Sequence, residues 1–272
     1  MKASNSRAKQ AKPSRDHPDG TQTLHRAASI VRLVASRNRP GMRLTDVVKF
    51  SGLQRPTAHR ILKGLIAEGL LTQDAESRLY CLGPLVFELG LAAAPQFNLC
   101  DICRPSLQRL AEKTGDTVFL SVRSGHDSVC IDRKEGSFPI KTFTLDVGER
   151  RPLGAGASGI AMLMPLPDEA VQEIVRANAT RLVGYYNLTV PALHEALAHS
   201  RDLRYAWNDA HLADGAATLG LPIINRYGHP FASITVGAII SRMTETRRTE
   251  IVSILREEIA LSEKAVRNMH QP

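Results

Sequence analysis

A two-residue turn, Ser51-Gly52, separates two segments of helical period, and a polar hairpin follows them. That order leaves little freedom for the fold. Upstream, Leu24, Ala27, Ala28, Val31 and Val34 fall on one face of a helix, and residues 38–41 (NRPG) end it. Residues 45–50 read as a short second helix with Val47 and Val48 inward. Leu53 leads into a third helix over residues 54–68, with Pro56 in its first turn, where the missing N–H costs nothing. Leu53, Ala58, Ile61, Leu62 and Leu65 make its buried stripe, and Gly69 stops it. Two short apolar runs, residues 70–72 and 79–82, flank the polar stretch QDAESR and read as a hairpin. Helix, helix, tight turn, helix, hairpin is the order of a winged helix-turn-helix.

The charge is distributed to match. Residues 1–90 hold 15 Lys and Arg against 7 Asp and Glu, whereas residues 91–272 hold 20 of each, so the formal net charge of +8 lies at one end. A basic domain joined to a neutral one is the footprint of a nucleic-acid binder with a separate second function. Residues 1–22 almost lack large apolar side chains, cannot offset their ordering entropy, and are expected to form a disordered basic tail. The excess persists in the folded part, residues 23–82. There is no run of about 18 apolar residues and no secretory h-region, so a cytoplasmic protein without membrane association is expected.

In a helix-turn-helix, the second helix of the motif lies in the major groove of double-stranded DNA. Here its outward face offers Gln54, Arg55, Thr57, His59, Arg60 and Lys63. Arg and Gln match guanine and adenine edges with two parallel hydrogen bonds, while Thr57 and Lys63 suit phosphate oxygens. Arg43, before the second helix, and Arg78, near the hairpin tip, are expected phosphate contacts. The competing interpretation is a solvated face that is merely basic.

Residues 83–98, around PLVFELGLAAA, read as a linker helix. A helix over 99–115 follows, then strands over 117–122, 128–133 and 140–144. Helices are expected over 158–164, 168–178 and 191–201, strands over 205–207, 218–224 and 231–238, and a long helix over 245–269. Residues 99–272 are therefore an α+β domain with two groups of three strands around central helices.

Gly154-Ala155-Gly156-Ala157-Ser158-Gly159 matches G-x-G-x-x-G. A dinucleotide site also needs a strand just before it and an acid about 20 residues on. Residues 148–152 (GERRP) read as a loop, and Asn178 and Ala179 are not acidic. The segment also fails G-x-S-x-G, so no hydrolase elbow is supported. A glycine-rich helix start still gathers free N–H groups and favours an anion such as a carboxylate. Cys100-x-x-Cys103 has redox or zinc spacing but no second pair; two cysteines on one helix is the plainer interpretation.

The segments TLHRAASIVRLVA, LTDVVKFSGLQRPTAHRILKGLIAEGLL and LYCLGPLVFELG resemble the N-terminal domain of IclR-type regulators. The resemblance continues through VGERRPLGAGASGIAML, RYAWNDAHLADGAATLGLPI and GHPFASITVGA. It implies a GAF-like antiparallel sheet with helices in the C-terminal domain, a small-molecule effector bound there, and a homodimer or dimer of dimers. Carried over position by position, it implies an effector pocket formed by Ala157 and Ser158, Asn208 and Asp209, Thr218, and Thr235 and Gly237. Four positions depart from the family pattern: Ile160 replaces a lysine, Gly154 a histidine, Arg204 a glycine, and His211 one of two paired acids.

Histidines are scattered and no H-E-x-x-H appears, so no catalytic residue, metal ligand or cofactor is assigned. The expectation is a transcription regulator whose operator affinity responds to a small organic acid. The alternatives are an enzyme built on the second domain and an architectural DNA-binding protein whose second domain only dimerises.

Overall fold

The computed structural model describes residues 21–37, 40–93, 98–185, 188–209 and 215–268. The expected tail, residues 1–22, falls almost wholly outside them, as do His211 and Met269. The chain divides into two compact units, residues 1–89 and 90–272.

The first unit is three helices and a short hairpin. Helix α1 spans Gln22–Ala35, α2 Leu44–Ser51 and α3 Arg55–Ala67. Gly52 takes the left-handed conformation (φ 67°) and its N–H closes α2 on the Val48 carbonyl, which glycine does without steric cost. Strands β1 (Leu71–Gln73) and β2 (Tyr80–Leu82) pair Leu71 with Leu82 and Gln73 with Tyr80. Met42 adds an isolated bridge to Tyr80. Ile30, Val34, Val47, Ala58, Leu62, Leu71 and Tyr80 close the core; Ala27, Val31 and Val34 of the expected α1 stripe reach it, but Leu24 is 70% exposed and Ile30, outside that stripe, is fully buried. Helix α4 spans Pro84–Ala93, with no buried residue.

The second unit is built on a six-stranded antiparallel sheet. Strands β3 (Thr117–Ser124), β4 (Asp127–Lys134), β5 (Arg150–Pro152), β6 (Ala206–Asp209), β7 (Ala216–Ile224) and β8 (Pro230–Ile239) lie in the order β5-β4-β3-β8-β7-β6. Side chains alternate between its faces. Val118, Leu120, Leu219, Leu221, Ile234 and Val236 pack on one side against α5 (Leu99–Thr114) and α9 (Glu245–Asn268). The Glu258 carboxylate of α9 is 2% exposed and accepts hydrogen bonds from Arg109 of α5 at 2.9 and 2.6 Å. The other face carries small and polar residues: Asn208, Thr218 and Gly237 form one cross-strand row, and Gly220 and Thr235 belong to the next. Helix α6 (Gly156–Leu163), buried along its whole length, covers that face. Helices α7 (Asp168–Leu182) and α8 (Val190–Leu203) join α6 in a second core with Leu153, Ile174 and Leu193.

Two expectations are corrected. Residues 140–144 are not a strand: Thr142 turns inward, whereas Ile140 and Phe143 are each 58% exposed. The edge of β4 is occupied instead by Arg150–Pro152, which pairs with Asp127–Val129. A strand therefore does precede the glycine-rich loop, though it is a three-residue antiparallel edge, unlike the parallel strand of a dinucleotide-binding unit.

Candidate DNA interface and effector site

The turn at Gly52 sets α3 with Ala58, Ile61, Leu62 and Leu65 in the core, so the opposite face is left to solvent. Gln54, Arg55, His59, Arg60 and Lys63 are exposed, and Thr57 is half-buried. Gln54 is the N-cap rather than a helical residue, and no acid sits in the first turn. None of these exposed side chains has a hydrogen bond or ion pair among the described residues. Arg43 is the N-cap of α2, where its backbone N–H donates to Asp46 at 3.2 Å and its guanidinium is exposed. Arg78 sits in the hairpin turn at φ 60°. That turn is fixed by Asp74, whose Oδ1 accepts from the Ser77 N–H and hydroxyl at 2.7 and 2.6 Å; these bonds hold the Asp74 carboxyl below its usual range.

In the second unit, a cavity of about 20 Å³ lies under the start of α6, room for about one water. Ala157, Ser158, Asn208, Thr218 and Thr235 line it. Ser158 is 7%, Asn208 8%, Thr218 9% and Thr235 3% exposed, and none of the four side chains has a hydrogen-bond partner among the described residues. Four unpaired polar groups around one void are available to hydrogen-bond a ligand that enters it. Ala155 gives α6 no side-chain cap, leaving the first-turn N–H groups of residues 156–158 to the cavity they line.

Two expected residues lie elsewhere. Asp209 follows Asn208 on the same strand, so it faces away and is exposed. Gly237 pairs with Thr218 but does not line the void; a Cβ there would come within 3.2 Å of Thr142 Oγ1 and of Thr218 Cγ2. Sequence reasoning missed Phe119, Thr144, Leu145, Arg151 and Ala216, which also line it. Arg151 is 13% exposed, donates from Nε to Glu149 at 2.7 Å and from Nη2 to the Thr144 carbonyl. The doubled arginine in GERRP was the available signal.

Of the family departures, Gly154 is compensated. It sits at φ 103°, and a Cβ there would lie 2.6 Å from Leu193 Cδ2, which fills the space. Ile160 is buried in the helical core. Arg204 ends α8 in the left-handed conformation at φ 60°. Cys100 and Cys103 share α5; burial pushes the Cys103 thiol up to about 11 and raises Cys100 as well, the reverse of a reactive pair.

Comparison with known proteins agrees with this architecture. The profile of the IclR helix-turn-helix domain matches residues 23–75, and that of the bacterial transcriptional regulator IclR C-terminal domain matches residues 91–261. The transcriptional repressor IclR of Escherichia coli is 29% identical over 232 residues, 84% of each chain. The acetate operon repressor of Salmonella typhimurium is 28% identical over 233 residues, 85% of this chain and 84% of that one. Among solved structures, an IclR family regulator from Brucella abortus matches with a TM-score of 0.75 at 20% identity, covering 94% of this chain and 97% of that one. An IclR homologue from Microbacterium hydrocarbonoxydans, solved in complex with 4-hydroxybenzoate, matches with a TM-score of 0.67 at 22% identity over 90% of this chain and 99% of that one. With a winged helix-turn-helix, an α+β second unit and both profiles matched, the chain belongs to the IclR family of DNA-binding transcription regulators, not to a family of enzymes.

Proposed function

We propose that this regulator, acting in the cytoplasm as a homodimer or dimer of dimers, reads an operator through α3 and changes its operator affinity when a small carboxylate enters the cavity under α6. Arg55 and Gln54 reach base edges, Arg60 and His59 extend the reading face, and Thr57, Lys63, Arg43 and Arg78 hold phosphates. The observation that carries the effector half is the set of four buried, unpartnered side chains, Ser158, Asn208, Thr218 and Thr235, at an uncapped helix start. An anion accepts from N–H groups and hydroxyls together, and Arg151 adds positive charge on the same wall. The structural relative bound to 4-hydroxybenzoate supports this chemistry. Self-association is supported by α4, whose Phe87, Leu89 and Leu91 are 69%, 54% and 59% exposed.

Coupling follows if the effector prefers one dimer geometry, because the two reading heads must sit about one helical turn, ~34 Å, or a multiple apart. The shift in operator affinity can only equal the ligand's differential affinity for the two forms, typically ~1–3 kcal/mol. The test is calorimetric titration of the full chain with a panel of small carboxylates including 4-hydroxybenzoate, repeated on operator DNA. Ser158→Leu should abolish acid binding and leave ligand-free DNA binding intact. Normal acid binding by that variant would place the pocket elsewhere.

A further inference from the structure

The void under α6 holds about 20 Å³, room for about one water, so the body of an effector must lie outside it. A second, open space of about 690 Å³ lies against it, between α8 and β6, within the size range of small-molecule sites. The two share Gly156 and Asn208 as wall. Asn208 is the second observation at this junction: it is 8% exposed, and neither its amide oxygen nor its amide nitrogen has a partner among the described residues.

The two spaces differ in charge. The inner wall carries Arg151 and the start of α6. The outer wall carries Glu195 and Asp202, with His199 between them on α8, and, among the described residues, no lysine or arginine. Glu195 and Asp202 lie two turns apart on one face of α8, and neither has an ion pair or hydrogen bond among the described residues. The ring of Tyr185 and the side chain of Leu193 supply apolar wall between them.

The geometry points to a zwitterionic effector: an elongated molecule whose carboxylate sits in the inner void, whose body passes Asn208, and whose cationic end lies in the outer space against Glu195 and Asp202. This deepens the carboxylate reading above and rests on it. The Asn208 amide can serve both halves, donating toward the acid end and accepting from the amine end. A dicarboxylate of the same length would bring its second charge against like charges, which costs affinity.

Three acids with one head and one ring separate the possibilities: 4-(aminomethyl)benzoate, 4-(hydroxymethyl)benzoate and 4-(carboxymethyl)benzoate. An aliphatic set, 6-aminohexanoate, 6-hydroxyhexanoate and hexanedioate, repeats the comparison without the ring. Each is titrated calorimetrically into the full chain. The ammonium member of at least one set should bind about fivefold more tightly than its hydroxyl member, the modest gain expected of exposed charge pairs, and the second carboxylate should bind more weakly than either. Glu195→Gln combined with Asp202→Asn should erase the ammonium preference and leave hydroxyl-member affinity within about twofold. Binding of the hydroxyl members with no ammonium preference, or a preference that survives the double variant, overturns the zwitterion assignment alone. No binding by any of the six acids overturns the carboxylate reading and this inference together.

Discussion

Asn208 on β6 sits directly opposite Thr218 on β7 in the antiparallel register, and both side chains are at least nine-tenths buried without a hydrogen-bond partner among the described residues. Leaving a buried hydroxyl unmet costs about 1–3 kcal/mol. Removing it should therefore relieve the ligand-free protein. Thr218→Val, nearly the same shape, is expected to leave stability unchanged or raise it by up to about 1 kcal/mol, while weakening binding of a carboxylate effector roughly tenfold, the size of one charge-assisted hydrogen bond. Denaturant unfolding and calorimetry read the two effects separately. A loss of stability with unchanged effector binding would make Thr218 a structural residue.

On α3 the expectation is different, because Arg55 and Lys63 are exposed and make no hydrogen bond or ion pair among the described residues. Alanine at either position should change unfolding free energy by less than about 0.5 kcal/mol. Lys63→Ala should weaken operator and random DNA about equally and flatten the dependence of log K on log salt by about 0.9. Arg55→Ala should instead make a base position in each half-site degenerate, with about 1–3 kcal/mol of discrimination lost. Binding-site selection with each variant decides between the roles. If Lys63→Ala altered base preference, the phosphate assignment would be wrong; if Arg55→Ala left the selected motif intact, Arg55 would not be a base reader.

What the sequence made legible was local. The Gly52 turn, the inward stripe of α3 and the polar hairpin are set by neighbours a few residues apart, and each appears where its period or turn chemistry puts it. Strand β5 was not legible because nothing in Arg150–Pro152 looks like a strand; it is one only through pairing with Asp127–Val129. Residues 140–144 have strand composition, but the edge they needed was already taken. The cavity shows the same division. Ser158, Asn208, Thr218 and Thr235 could be carried over by resemblance, yet the register that sets Asn208 against Thr218 and turns Asp209 outward is a long-range property. Arg151 escaped notice because its partners, Glu149 and the Thr144 carbonyl, come together only when the loop folds back.

Arg204 and Gly154 test how far the chain has adapted to its departures from the family pattern. Arg204 holds φ 60° at the end of α8, a conformation that costs an ordinary residue about 1–2 kcal/mol. Glycine removes that cost but adds freedom to the unfolded chain, worth about 0.4–1 kcal/mol, so Arg204→Gly should stabilise by about 0.5–1 kcal/mol. Gly154→Ala should do the opposite, by about 2 kcal/mol or more, because its Cβ meets Leu193 Cδ2 at 2.6 Å and its φ of 103° disfavours any side chain. Adding Leu193→Ala would remove the clash but leave the backbone strain and open a cavity, so it should not restore stability. Denaturant midpoints at constant m-value give all three. A destabilised Arg204→Gly would mean that the guanidinium contributes more than its backbone costs.

The pair that joins α5 to α9 sets an acid limit on the second unit. Burial alone would raise the Glu258 carboxyl, but hydrogen bonds from Arg109 and Ser106 and the nearby charges of Arg109 and Lys113 hold it below its ordinary value. A carboxyl depressed in the folded state contributes stability that is full above its unfolded pKa and is lost as pH falls through the folded one. The loss therefore belongs below about pH 4.3, the ordinary glutamate value. Arg109→Met removes the partner and leaves a carboxylate that is 2% exposed, so it should cost about 3 kcal/mol at pH 7. Burial then dominates, the carboxyl rises above its ordinary value, and protonating it becomes the easier route. The penalty in Arg109→Met should consequently shrink between pH 7 and pH 5, where the parent protein is still at full strength. Unfolding curves for parent and variant across that interval check the sign, and a penalty that stayed constant would mean that Lys113 alone keeps Glu258 ionised.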